Sequence, residues 1–339
     1  MKTIITVFIL LILSGVAHAY EGFAATADGH SIVAGGARFS YRTNSQDSDW
    51  LWLQKWSEQE DAWTPFLSTG KPIAEVEISP SGKYILVTDF TRKDNPNDIP
   101  DYTLHIYTSD KKHIASFPDI CDVVFSPDEL QVAMIVGKYQ DGPYIPQHII
   151  IYNFETKESR TIDHEANEIW WAHHDGNIYL KGRGFAPAYC YDVKNREIIL
   201  TEYKGVFFSP GGTYYFNCFE DVIQILRTKD NVCIMDNEKT LDYKGGIYKA
   251  EWFNDEIIVF RHAPKLIDEK GEASYNFVTE ILNLSKNTAC LLPIENPIGM
   301  DKKNERIIYL EAGKIHFWNI QDILSDMDKS DFCRTVTLQ

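Results

Sequence analysis

Apolar and polar positions alternate along the chain in one recurring order: a short apolar run, a break rich in Ser, Pro, Asp and Gly, and a second apolar run. "VVFSPDELQVAMIVG", from Val123 to Gly137, is a clear instance. Pro fixes φ near the value an early turn position needs, and Gly or Asp suits the unusual φ that follows, so the break predicts a tight turn between two strands. The same template stands at Thr26 ("TADGHSIV"), Ser79 ("SPSGKYIL"), Ser126 ("SPDELQVA"), His173 ("HHDGNIYL") and Ser209 ("SPGGTYYF"). Degenerate copies stand at Phe253 ("FNDEIIVF") and Met300 ("MDKKNERIIYL"). Counted from Ala27, Pro80, Pro127, His174, Pro210, Asn254 and Asp301, the steps are 53, 47, 47, 36, 44 and 47 residues. Seven units of similar size fill the chain.

After each corner comes a second strand, then a third ending in an aromatic or Leu beside a polar residue: Tyr107-Thr108, Tyr152-Asn153, Tyr191-Asp192, Leu282-Asn283, Trp318-Asn319. A charged turn such as "TSDKK" or "DVKNRE" leads to a fourth. Four short strands per unit of this length predict an all-β fold, a seven-bladed β-propeller of four-stranded antiparallel blades. "CRTVTLQ" is expected to finish blade seven after a short helix near Asp322 to Lys329, so that the ring closes without an exchanged strand. The indoles of "DWLWLQKW" are expected to pack between blades.

The Ser-Pro-x-Gly corners resemble the WD40-like PD40 repeat of TolB and of the N-terminal propeller of dipeptidyl peptidase IV type enzymes. The resemblance spans nearly all of residues 20–339 and implies a blade rather than an activity. In three units the corner Gly is replaced by Glu129, Glu256 and Lys303, and the nearest match to a Trp-Asp dipeptide is Trp318-Asn319. The hydrolase domain of the peptidase relatives has no counterpart here: no Gly-x-Ser-x-Gly elbow occurs, and the blades use the chain from Tyr20 to Gln339.

Residues 1–19, with Lys2, the apolar run Ile4 to Leu13 and the ending Ala17-His18-Ala19, read as a secretory signal peptide. Its apolar run is shorter than the roughly 20 residues of a membrane span, so no membrane insertion is expected after cleavage. The expected location is exported, periplasmic or extracellular, with residues 20–339 as one propeller domain. Removing Lys2 leaves 32 basic residues against 49 acidic ones, a net charge of −17. That sign repels phosphate backbones and argues against nucleic acid as a partner.

Six cysteines in an exported chain permit three disulfides. The nearest pair, Cys218 and Cys233, falls on the second and fourth strands of one blade, about 9.6 Å apart and beyond disulfide reach. Buried free thiols are the expectation. His173, His174 and Asp175 offer ligand atoms, but they occupy a corner, and neighbouring strand residues point to opposite faces. The loop "DFTRKDNPNDIPD" lacks the spacing and Gly of a calcium loop. No metal and no cofactor is predicted, and neither a Ser-His-Asp set nor a carboxylate pair assembles from the sequence.

The connections between second and third strands are long in five blades and emerge together around the mouth of a propeller. Near their starts they carry Arg38, Arg42, Arg92, Lys93, Lys138, Arg183, Arg261 and His262, accompanied by aromatics such as Tyr139 and Phe185. Repeated cations in one structural slot of an acidic chain predict a ligand site comprising Arg38, Arg42, Arg92, Lys138, Tyr139, Arg183, Phe185, Arg261 and His262, built for a carboxylate or acidic segment. The competing expectation is that each cation pairs with an Asp of its own loop.

Two functions follow. The first is an exported, non-catalytic propeller that binds a protein partner or an anionic small ligand. The alternative is a lone-propeller lyase or lactonase acting on an acidic sugar, with His262 or His148 as base or metal ligand.

Overall fold

A computed structural model describes residues 23–26, 31–35, 51–57, 59–91, 93, 100–139, 144–182, 187–219, 222–236, 245–267, 273–275, 278–292, 297–311, 314–325 and 333–335. Residues 1–19, the expected signal peptide, lie outside them. The chain is all-β, and its strands form seven antiparallel sheets, one for each sequence unit, the blades of a seven-bladed β-propeller. Five sheets have four strands in simple up-and-down order.

Corner chemistry explains the repeat. In blades 2, 3 and 5 the Ser side chain accepts a hydrogen bond from the backbone N–H five residues on: Tyr84 to Ser79 at 3.1 Å, Gln131 to Ser126 at 2.9 Å and Tyr214 to Ser209 at 3.2 Å. Thr26 does the same for Ser31 at 3.0 Å in blade 1. All four hydroxyl-bearing residues are buried, and a buried hydroxyl must be bonded. The left-handed position of these corners is Gly82, Glu129 or Gly212. In blade 4 the equivalent of Ser79 is Ala172, whose N–H bonds Asn177, so His173 falls one place later than the sequence template put it.

The polar residue ending each third strand has its own role. Asn153 accepts from the N–H groups of Glu155 and Thr156, and Asp192 from that of Asn195. Each closes the turn to the fourth strand, with Lys157 and Arg196 in the left-handed region. In blade 7 the same device has a different outcome. Asn319 accepts the N–H of Gln321 and opens the short helix Ile320–Ser325, a cap rather than a hairpin turn.

Among the described residues blade 7 therefore has three strands, Pro297–Asp301, Arg306–Glu311 and Lys314–Asn319. The expectation that "CRTVTLQ" completes it is corrected: Cys333–Thr335 pairs with Thr288–Leu292 on the outer edge of blade 6. Among the described residues the sheets of blades 1 and 7 share no strand. The expectation of buried free thiols is corrected in part. Cys190 is buried and Cys121 and Cys233 are partly buried, all three outside any disulfide, but Cys290 is disulfide-bonded and its cross-strand neighbour is Cys333.

The strands group into two compact units, one of residues 122–295 and 327–339, the other of 20–121 and 296–326. In the first, aromatic and aliphatic faces of blades 4, 5 and 6 share a core that includes Tyr179, Phe208, Tyr215, Trp252 and Phe260. In the second, Val33, Leu53, Val76 and Val87 join blades 1 and 2, and Ala34, Trp56 and Ile308 join blades 1 and 7. Trp56 is buried as expected, with its ring centroid 5.3 Å from that of Trp63. Trp52 departs from the expectation and is 43% exposed. Among the described residues no helix is long and apolar enough to cross a membrane.

Candidate functional site

The connections between second and third strands emerge opposite the corners. Within blade 3, Pro127 lies in the corner before the strand Gln131–Tyr139, and Lys138 stands exposed near the other end. Of the predicted site residues, Lys138 alone is described with its side chain. Tyr139 ends the same strand, and Arg261 and His262 lie on the second strand of blade 6, Ile257–Ile267. Arg38, Arg42, Arg92, Arg183 and Phe185 fall outside the described residues. Lys93 follows the competing expectation, pairing at 3.0 Å with Asp101 across its own loop.

A polar line that the sequence reading missed runs through blades 3, 4 and 5 toward these loop ends. Asp122 sits near the start of the first strand of blade 3, Ile120–Phe125. Glu168 opens the first strand of blade 4, directly opposite Lys181 at the end of the second. All three are buried. Asp122 accepts the N–H of Val123 at 2.8 Å and that of Ile169 in the next blade. Lys181 Nζ lies 4.0 Å from Glu168 Oε2 and donates to Asn217 Oδ1 in blade 5. Burial pushes the Asp122 carboxyl up to about 8, and backbone hydrogen bonds oppose this only partly. Burial likewise raises Glu168 to about 7, with Lys181 pulling down and Asp122 pushing up. Near neutral pH Asp122 keeps a proton that an ordinary carboxylate releases, while Glu168 is partly ionised beside Lys181.

Blade 2 carries a second constellation, a Ser-His-Asp set that does not assemble from the sequence alone. His105 Nε2 is 3.0 Å from Asp89 Oδ2, and His105 Nδ1 is 2.8 Å from Ser116 Oγ. His113 Nε2 is 2.8 Å from the same oxygen. One proton order satisfies all three contacts: His113 donates to Ser116, Ser116 to His105, and His105 to Asp89. Asp89 is buried and Ser116 is exposed. The set forms because three adjacent strands of one blade present one face, with His105 opposite Ser116 and Asp89 opposite Thr103, two residues away.

The corner residues His174 and Asp175 are occupied structurally. Asp175 accepts from Tyr179 Oη at 2.8 Å and from the Asn177 N–H at 3.0 Å. The ring of His174 packs flat on Gly212, where a Cβ would stand 2.5 Å from the imidazole and where φ is +73°. That contact accounts for the second Gly of "SPGG". Among the described residues no group of three His, Cys, Asp or Glu is placed to hold a metal.

No protein-family model matches the chain, and no curated protein matches it.

Proposed function

We propose that the chain is an exported, non-catalytic propeller of the PD40 type, similar to those of TolB and the dipeptidyl peptidase relatives, that works as a binding module. It takes a protein partner or small ligand by an anionic group at the loop ends of its blades. The supporting observation is Lys138: it stands exposed near the end of its strand away from the corner, in the slot to which the sequence repeat assigns Arg183 and Arg261 in blades 4 and 6. Burial holds the Asp122 carboxyl up to about 8 near the start of the adjoining strand, so that group adds little negative charge to the same end of blade 3 at neutral pH. A net charge of −17 on residues 20–339 (32 basic, 49 acidic) keeps nucleic acid and anionic membranes away, so anion capture needs a local cationic site. The test is binding of fluorescent oligoglutamate, with oligolysine as the control for the acidic surface. Saturable oligoglutamate binding that weakens with salt supports the reading; oligolysine binding alone refutes it.

One observation favours the lactonase reading, and that is the Asp89–His105–Ser116 set. Ser116 Oγ would attack the ester carbonyl and pass its proton to Nδ1 of His105, which would return it to the leaving alkoxide oxygen; water then releases the acyl group by the reverse proton path. A fluorophosphonate probe decides between the readings. Labelling that maps to Ser116 and is lost in His105→Ala establishes the nucleophile. An unlabelled protein leaves the set as a cross-strand ladder that ties blade 2 together.

A further inference from the structure

The outer strand of blade 4, Glu197–Leu200, is exposed along its whole length. Ile198, Ile199 and Leu200 are 39%, 51% and 59% exposed, three large apolar side chains in succession at the edge of a sheet. A flat apolar edge with unpaired backbone groups is a template for another strand. We propose that this edge pairs with the same edge of a second copy of the chain, joining two blades across a twofold axis.

Backbone geometry fixes the register. The N–H of Thr201 bonds the carbonyl of Ala188 at 3.0 Å, and Glu197 and Ile199 stand opposite Asp192 and Cys190. Glu197, Ile199 and Thr201 thus direct their backbone groups inward, and alternation turns those of Ile198 and Leu200 to the open edge. An antiparallel pairing of two such edges must set even-numbered residues against even-numbered ones. Centring it on Ile199 places Ile198 against Leu200 of the other copy, Leu200 against Ile198, and the two Ile199 residues against each other. Arg196, just before the strand, then meets Glu202, just after it, and the symmetry makes that contact twice. Shifting the centre to Ile198 sets Leu200 against Arg196 and Ile199 against Glu197. Shifting it to Leu200 sets Arg196 against Lys204. Only the Ile199-centred register matches apolar with apolar and cation with anion, the self-complementarity a twofold interface needs.

Sedimentation velocity in 0.15 M salt tests this, since the Debye length of about 8 Å there screens the general repulsion between two acidic chains. Raising the concentration from about 1 to about 200 µM covers the weak association expected of a small interface, and the mass should climb toward twice that of one chain. Ile199→Lys, at an exposed position, should keep the melting temperature and remain monomeric throughout. Arg196→Glu should weaken the dimer about tenfold by opposing two like-charged pairs, and Arg196→Glu with Glu202→Arg should restore it. A mass independent of concentration, a dimer indifferent to Ile199→Lys, or a double swap that fails to restore association would overturn the proposal. So would a chain that stays monomeric while binding an unrelated apolar strand peptide, which would give the edge to another protein.

Discussion

Single polar atoms decide much of this protein's behaviour. The corner hydroxyl of Ser126 accepts the Gln131 N–H at 2.9 Å and donates to Asp128 Oδ1 at 2.6 Å. Ser126→Ala leaves that buried donor without its side-chain partner and should lower unfolding free energy by about 1 kcal/mol in denaturant titration. Asp122 acts in the opposite direction. Its folded carboxyl is raised to about 8 from an ordinary 3.8, so the native state binds the proton more tightly than the unfolded one. Stability is complete below about pH 4, falls as the unfolded carboxyl ionises, and levels off above about pH 8. Glu168, raised to about 7, adds to the same slope up to that pH. Asp122→Asn keeps the acceptor oxygen and removes the titration. Melting curves should show the variant more stable at pH 8, by on the order of 1–3 kcal/mol, and nearly unchanged at pH 4. A variant gain that is equal at both pH values would contradict the linkage.

At the scale of strands and turns, Glu129 holds φ at +55° in a corner where Gly82 and Gly212 hold the same region freely. Glu129→Gly should therefore stabilise blade 3 by about 1 kcal/mol, visible as a raised denaturation midpoint. This is also the scale at which the sequence was most legible. Strand, corner and third-strand cap recur because each is a local solution, readable from "SPDELQVA" or Tyr152-Asn153 without tertiary contacts. The failures are tertiary. The dipeptide Trp318-Asn319 looks like the cap of Tyr191-Asp192, yet it opens a helix, and the released strand Cys333–Thr335 moves to blade 6 beside the disulfide-bonded Cys290. The Asp89–His105–Ser116 set was hidden because strand register, not sequence spacing, brings residues 11 and 16 positions apart onto one sheet face. The Asp122–Glu168–Lys181 line was hidden because burial in neighbouring blades creates it, while each residue alone reads as an ordinary strand charge.

For the molecule as a whole, the seven-bladed scaffold supplies the same slot repeatedly, and the proposed binding function depends on what the loop ends carry. Lys138 lies near the end of its strand away from the corner of blade 3, and Arg183 follows the second strand of blade 4 in sequence, outside the described residues. The most direct measurement of the binding reading is oligoglutamate affinity by fluorescence anisotropy for the wild type and for Lys138→Ala with Arg183→Ala, at low and physiological salt. Removing two charge-assisted contacts should weaken binding at least about tenfold and flatten the salt dependence, with circular dichroism and melting temperature unchanged. An affinity and salt slope equal to those of the wild type in that correctly folded double variant would contradict an anion site at these loop ends.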